Sequence, residues 1–116
     1  MSNPVVHFEI GCRDTAQAAQ FYTSLFGWST SPMGPALMIQ TGAPPDIAGH
    51  FTALGHEPHH YTIFYVSVDD IDAYLAKALS LGGKTLVPKV TIPNGAFAWL
   101  SDPDGNTVGL WQAAQA

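Results

Sequence analysis

Two stretches of the chain place apolar residues three and four positions apart, and each follows a short run of alternating or β-branched residues. Ala18, Phe21, Tyr22, Leu25 and Phe26 fall at i, i+3, i+4, i+7 and i+8, one stripe of a helix. Asp14 followed by Gln17 resembles a capping box, and Gly27 supplies the left-handed residue that commonly ends a helix. Ile71, Tyr74, Leu75, Ala78 and Leu79 reproduce the spacing, with Asp69 or Asp70 as cap and Gly82-Gly83 as stop. The pattern predicts helices over 14–26 and 70–81. Strands are expected at 4–10, near 28–32, at 36–41 and near 47–54 in the first half. The second half gives 61–68, 84–91, 96–101 and 107–112, separated by Gly, Pro and Asn.

The order strand, helix, three strands therefore occurs twice. The first module covers about 1–55 and the second about 60–116 of a single domain, joined by Gly55-His56-Glu57-Pro58-His59-His60. With 116 residues, 47% hydrophobic and 11% charged, the chain can bury a core without disulfide staples. Its net charge is −5, and its four basic residues (Arg13, Lys77, Lys84 and Lys89) are scattered. Such a surface has no cationic track for nucleic acid or an anionic membrane. No apolar run reaches the roughly 20 residues of a bilayer span. The lone Cys12 has no intrachain disulfide partner, which suits a reducing cytoplasm.

Four segments carry a family resemblance. They are Val6-His7-Phe8-Glu9-Ile10, Gln20-Phe21-Tyr22-Thr23-Ser24-Leu25-Phe26-Gly27-Trp28, Tyr65-Val66-Ser67-Val68-Asp69-Asp70-Ile71 and Asp102-Pro103-Asp104-Gly105-Asn106. The sequence resembles the vicinal oxygen chelate superfamily of glyoxalase I, bleomycin-resistance proteins, fosfomycin-resistance enzymes and extradiol dioxygenases. The resemblance is greatest to a glyoxalase-like subgroup of unsettled activity. It implies an α+β fold in which two βαβββ modules form a cupped mixed sheet, with helices on the convex side and a concave ligand pocket. It also implies a homodimer, since many members are dimers.

Metal-using members place ligands on the first and last strands of each module. His7 matches the first-strand position, seven residues before Asp14. The same count back from Asp70 or Asp69 reaches Ile63 or Thr62, neither of them a ligand, and the last-strand carboxylate is replaced by Gly109. His50 is the one candidate on the fourth strand. Two imidazoles hold a divalent ion weakly, so no metal cofactor is expected. The alternative is a Zn, Fe, Mn or Ni site made of His7, Glu9 and His50, two histidines and a carboxylate. His56, His59 and His60 belong to the connecting segment, where solvated imidazoles are the simpler reading.

Strand alternation sends His7 and Glu9 to one face, with Tyr61, Ile63, Tyr65 and Ser67 facing the same way. Pairing about Asp104 sets Trp99 opposite Gly109 and Phe97 opposite Trp111. Gly109 then leaves room for the Trp99 indole or for a flat ligand. The candidate ligand-binding set is His7, Tyr61, Ile63, Tyr65, Phe97, Trp99, Gly109 and Trp111. The same aromatics could equally fill a core or an interface. His7 and Glu9 are the candidate catalytic pair.

Asp102 and Asp104 are read as turn formers. No Gly-rich phosphate loop and no nucleophile triad motif occurs. Three readings stand: metal-independent binding of an aromatic or amphipathic small molecule; a metal-dependent lyase, isomerase or dioxygenase; and metal-free acid–base catalysis by His7 and Glu9.

Overall fold

A computed structural model of the protein describes residues 2–42, 47–53 and 61–114. All of the expected connecting segment, including His56, His59 and His60, lies outside the described residues. Backbone contacts group His7–Ile63 into one unit and Met1–Val6 with Phe64–Ala116 into another.

The first unit holds most of β1 (Val5–Gly11), then α1 (Thr15–Phe26), β2 (Ser29–Met33), β3 (Ala36–Gln40) and β4 (Ala48–Thr52). Its strand order is β2-β3-β4-β1, with β1 parallel to β4 and the other neighbours antiparallel. The Asp14 carboxylate accepts from the amides of Ala16 and Gln17 at 3.0 and 3.2 Å, capping α1 as its sequence predicts. Gly27, at φ 74°, closes the helix by donating its N–H to the Thr23 carbonyl.

Ile10, Ile39 and Phe51 form this unit's core, with Phe8, Ala18, Ala19, Tyr22 and Trp28 packed against it. Truncating Phe51, which is fully buried, costs about 3–5 kcal/mol. The helix is rotated from the expected stripe. Ala18, Ala19 and Tyr22 meet the core, whereas Phe21, Leu25 and Phe26 are exposed. Tyr22 stacks on Trp28 with centroids 5.5 Å apart and planes 5° apart, anchoring that orientation.

The second unit takes most of β5 (Tyr61–Ser67), then α2 (Ile71–Ser80), β6 (Lys84–Ile92), β7 (Gly95–Ser101) and β8 (Thr107–Ala113). Its order, β5-β8-β7-β6, repeats the first unit's scheme, again with first and last strands parallel. Asp70 caps α2 through the Ala73 amide. Val68, Ile71, Ala96, Ala98 and Leu110 make the core, joined by Val66, Tyr74 and Leu75.

Residues 3 and 4 are tied into this unit. The Ser67 amide donates to the Pro4 carbonyl at 2.9 Å, and Asn3 Nδ2 donates to the Ser67 carbonyl at 3.0 Å. At the β7–β8 turn Asp102 accepts from the amides of Asp104 and Asn106 and from Asn106 Nδ2, all at 2.9 Å. Those bonds hold its carboxyl below the usual range, as befits a turn former. The fold is α+β, two βαβββ modules, as expected. Among the described residues no helix is long and apolar enough to cross a membrane.

Candidate functional site

Parallel pairing of β1 with β4 sets Glu9 beside His50, and His7 lies two residues back on the same face of β1. The three side chains are joined in series. His7 Nε2 lies 2.7 Å from His50 Nδ1, and His50 Nε2 lies 3.4 Å from Glu9 Oε1. Glu9 Oε2 accepts a hydrogen bond from the Tyr61 hydroxyl. Glu9 itself is only 4% exposed. A carboxylate taken so far from water requires partners, and Tyr61 and His50 provide them.

The chain has a direction. Tyr61 donates to Glu9, so the carboxylate acts as acceptor, and the Nε2 proton of His50 belongs on the side facing it. With His50 in the Nε2–H tautomer, its Nδ1 accepts the Nε2 proton of His7. Burial, reinforced by the neighbouring His50 and opposed by Glu9, holds His7 down to about 4. His7 is therefore neutral at pH 7, consistent with this arrangement. The Tyr61 hydroxyl is pushed far up, first by burial and then by its bond to Glu9, and remains a proton donor. Gly11 clears the space: a Cβ there would sit 2.2 Å from the Tyr61 ring.

This geometry bears on the alternative metal set of His7, Glu9 and His50. Coordination requires donors at roughly 2.0–2.2 Å from one point. His50 turns Nδ1 toward His7 and Nε2 toward Glu9, opposite edges of one ring. As arranged, the three do not fit a shared ion. Among the described residues no group of three His, Cys, Asp or Glu side chains is placed to hold one.

The second unit carries the expected aromatics. Trp99 does lie opposite Gly109, and Phe97 opposite Trp111. The space over Gly109 is filled differently from expectation. A Cβ at Gly109 would meet the Tyr65 ring at 2.5 Å, so Tyr65, its partner on β5, fills the room expected for an indole or a flat ligand. Trp99 Nε1 donates to the Tyr65 hydroxyl at 2.8 Å. Tyr65 and Trp99 are 5% and 8% exposed, and Ile63, in the first unit, is likewise buried. Phe97, Trp111, His7 and Tyr61 are half-buried.

The Cys12 thiol is pushed up by burial and by Asp14, away from reactivity. Sequence reasoning missed the role of Tyr61 as partner of the buried Glu9. Gly11 was the available signal, since a glycine at the end of a β-branched strand marks a close approach.

The chain matches the sequence model of the Glyoxalase/Bleomycin resistance protein/Dioxygenase superfamily over residues 5–110. It is 34% identical over 116 residues to "Putative glyoxylase CFP32" of Mycobacterium bovis, covering 86% of this chain and 42% of that protein. It is 26% identical over 125 residues to the anthracycline biosynthesis protein DnrV of Streptomyces peucetius, covering 90% of this chain and 45% of that one. The chain thus spans under half the length of both relatives. Hypothetical protein BH1468 from Bacillus halodurans superposes with a TM-score of 0.71 at 11% identity, over 100% of this chain and 98% of that one, a likeness of fold.

Proposed function

Because the chain belongs to the glyoxalase/bleomycin resistance protein/dioxygenase superfamily, we propose that it binds an aromatic or amphipathic small molecule without a metal ion. The observation that carries the reading is His50, whose two ring nitrogens face His7 and Glu9. That wiring favours His7 as a neutral polar contact over membership of a coordination shell. In the first unit His7 offers the ligand a hydrogen-bonding edge, and Glu9 acts through His50. In the second unit Phe97 and Trp111 are half-buried ring faces suited to stacking. A relative that acts in anthracycline biosynthesis is in keeping with an aromatic ligand. The working form is a homodimer in the cytoplasm, where a single free cysteine is stable.

The test is tryptophan fluorescence of chelator-treated protein titrated with a library of fused-ring aromatic compounds. Saturable quenching that is weakened in His7→Ala or in Trp111→Leu supports the reading. A library that gives no saturable response contradicts it.

One observation favours a second reading, a metal-dependent lyase, isomerase or dioxygenase: two imidazoles and a carboxylate do gather in one place. Rotation of His50 would be needed to turn its donors toward a common ion. Stoichiometric metal that survives dialysis and is lost in His7→Ala would establish this reading.

A further inference from the structure

We propose that the sheet face of the second unit turned away from α2 selects an uncharged, flat ligand of two or three fused rings, with Val90 on β6 as a specificity-determining residue; this rests on the binding reading above and names its ligand class. Ala96, Ala98 and Leu110 pack in the core with Ile71, Tyr74 and Leu75 of α2. The alternate residues of β7 and β8 therefore point the other way. Trp111 stands in register with Phe97, Phe97 with Val90, and Gly95 with Ile92. Directly paired residues share a face, so Trp111, Phe97, Val90 and Ile92 form one apolar patch.

The Trp111 indole is laid down there as a platform. A Cβ at Gly95 would come within 2.7 Å of Trp111 Cη2 and 2.8 Å of its Cζ2, so the ring covers bare backbone. A glycine inside a strand marks such a close approach. Trp99 on the same face differs, being 8% exposed with its indole N–H given to Tyr65. Trp111 and Phe97 are half-buried, and Val90 and Ile92 are 38% and 36% exposed.

The pairing of β6 sets the charge of the patch. Val87 is opposite Trp99 and Val90 is opposite Phe97, so Pro88 and Lys89 together are matched by Ala98 alone. Such a bulge re-aims the side chains beyond it. Plain alternation from Val87 would bring Lys89 onto the aromatic face and send Val90 to the opposite one. Instead Lys89 Nζ lies 4.0 Å from Asp72 on α2, and Val90 completes the patch. An exposed ion pair of that length contributes little, so the main result of the bulge is an aromatic row without charge. Among the described residues, Lys84 is the charged side chain on this face. It stands opposite Ser101, four positions along β7 from Phe97. Strands lie about 4.8 Å apart, so Trp111 to Val90 spans roughly 10 Å, the length of about three fused six-membered rings.

The test is quenching of tryptophan fluorescence by acetophenone, 2-acetonaphthone, 2-acetylanthracene and anthracene-2-carboxylate. Affinity rises about tenfold or more from the one-ring to the three-ring ketone, and the carboxylate binds more weakly than the three-ring ketone. Val90→Lys, at an exposed position of an edge strand, reverses that last order, because its charge attracts the anion and repels an apolar ring. Val90→Ala weakens the three-ring ketone more than the two-ring one. Affinity indifferent to ring number overturns the proposal, and so does a wild type that prefers the carboxylate. Selectivity unmoved in both Val90 variants, in protein whose fused-ring binding is still weakened by His7→Ala, refutes this patch and leaves the binding reading intact. Failure to bind any ring compound overturns both.

Discussion

The two modules share a strand scheme but differ in the chemistry they place at corresponding positions. Glu9 stands five residues before its helix cap Asp14, and Tyr65 stands five before Asp70. Each pairs in parallel register with the last strand of its module, Glu9 with His50 and Tyr65 with Gly109. One module therefore buries a carboxylate against an imidazole. Its counterpart buries a phenol ring over a glycine, with Trp99 as hydrogen-bond partner. Seven residues before the caps the contrast repeats as His7 against Ile63. The same backbone frame serves polar wiring in one half and dense packing in the other. Gly109 leaves no vacant space beside it, because the Tyr65 ring fills the room a side chain there would take.

Placing a carboxylate in the packed module is the most damaging way to challenge that contrast. Gly109→Glu forces a side chain into the Tyr65 ring and strands a charge, costing about 3 kcal/mol or more. Urea melts measure the loss, and adding Tyr65→Ala returns part of it. In the polar module Tyr61→Phe removes the donor to Glu9 Oε2 and costs about 2 kcal/mol, the range of a hydrogen bond to a charged group. An unchanged urea midpoint would show that the Tyr61–Glu9 bond contributes nothing.

Acid should unwire the same module. His7 is lowered from 6.5 to about 4 in the folded protein, so the unfolded chain binds the proton more readily. The stability it contributes is present above about pH 6.5 and is lost as the pH falls toward 4. Partial exposure screens the effect, leaving about 2 kcal/mol between pH 7 and 4.5. Melts of the wild type and His7→Gln at both pH values isolate it, the variant losing less on acidification. Smallest is Trp99→Phe, which deletes the indole N–H donated to Tyr65 and costs about 1 kcal/mol. Differential scanning calorimetry would register it as a lowered Tm without a change in the pH response.

Features set by near neighbours in the chain were legible without coordinates. The caps at Asp14 and Asp70 and the turn at Asp102 are local chemistry, so residue type and spacing sufficed to find them. Alternation likewise sent His7 and Glu9 to one face, and symmetry about Asp104 paired Trp99 with Gly109. What escaped depends on contacts between distant segments. His7, Glu9 and His50 were grouped as an alternative metal set, but the bridging of His7 and Glu9 by opposite edges of the His50 ring needs the parallel register of β1 with β4, which no local pattern reports. Tyr65 and Trp99 were both aromatic candidates near Gly109, and only the register of β5 with β8 decides which ring fills the gap. On α1 the heptad-like stripe contained more apolar residues than the core could take. Packing selected Ala18, Ala19 and Tyr22, leaving Phe21 and Leu25 outside.

The most direct test is titration calorimetry of chelator-stripped protein with Zn²⁺ and Ni²⁺, comparing wild type with His7→Ala. If the His7–His50–Glu9 series is wired for hydrogen bonding, the two proteins bind these ions alike and only weakly. One ion per chain, held with a submicromolar Kd by the wild type and released in His7→Ala, would contradict the account.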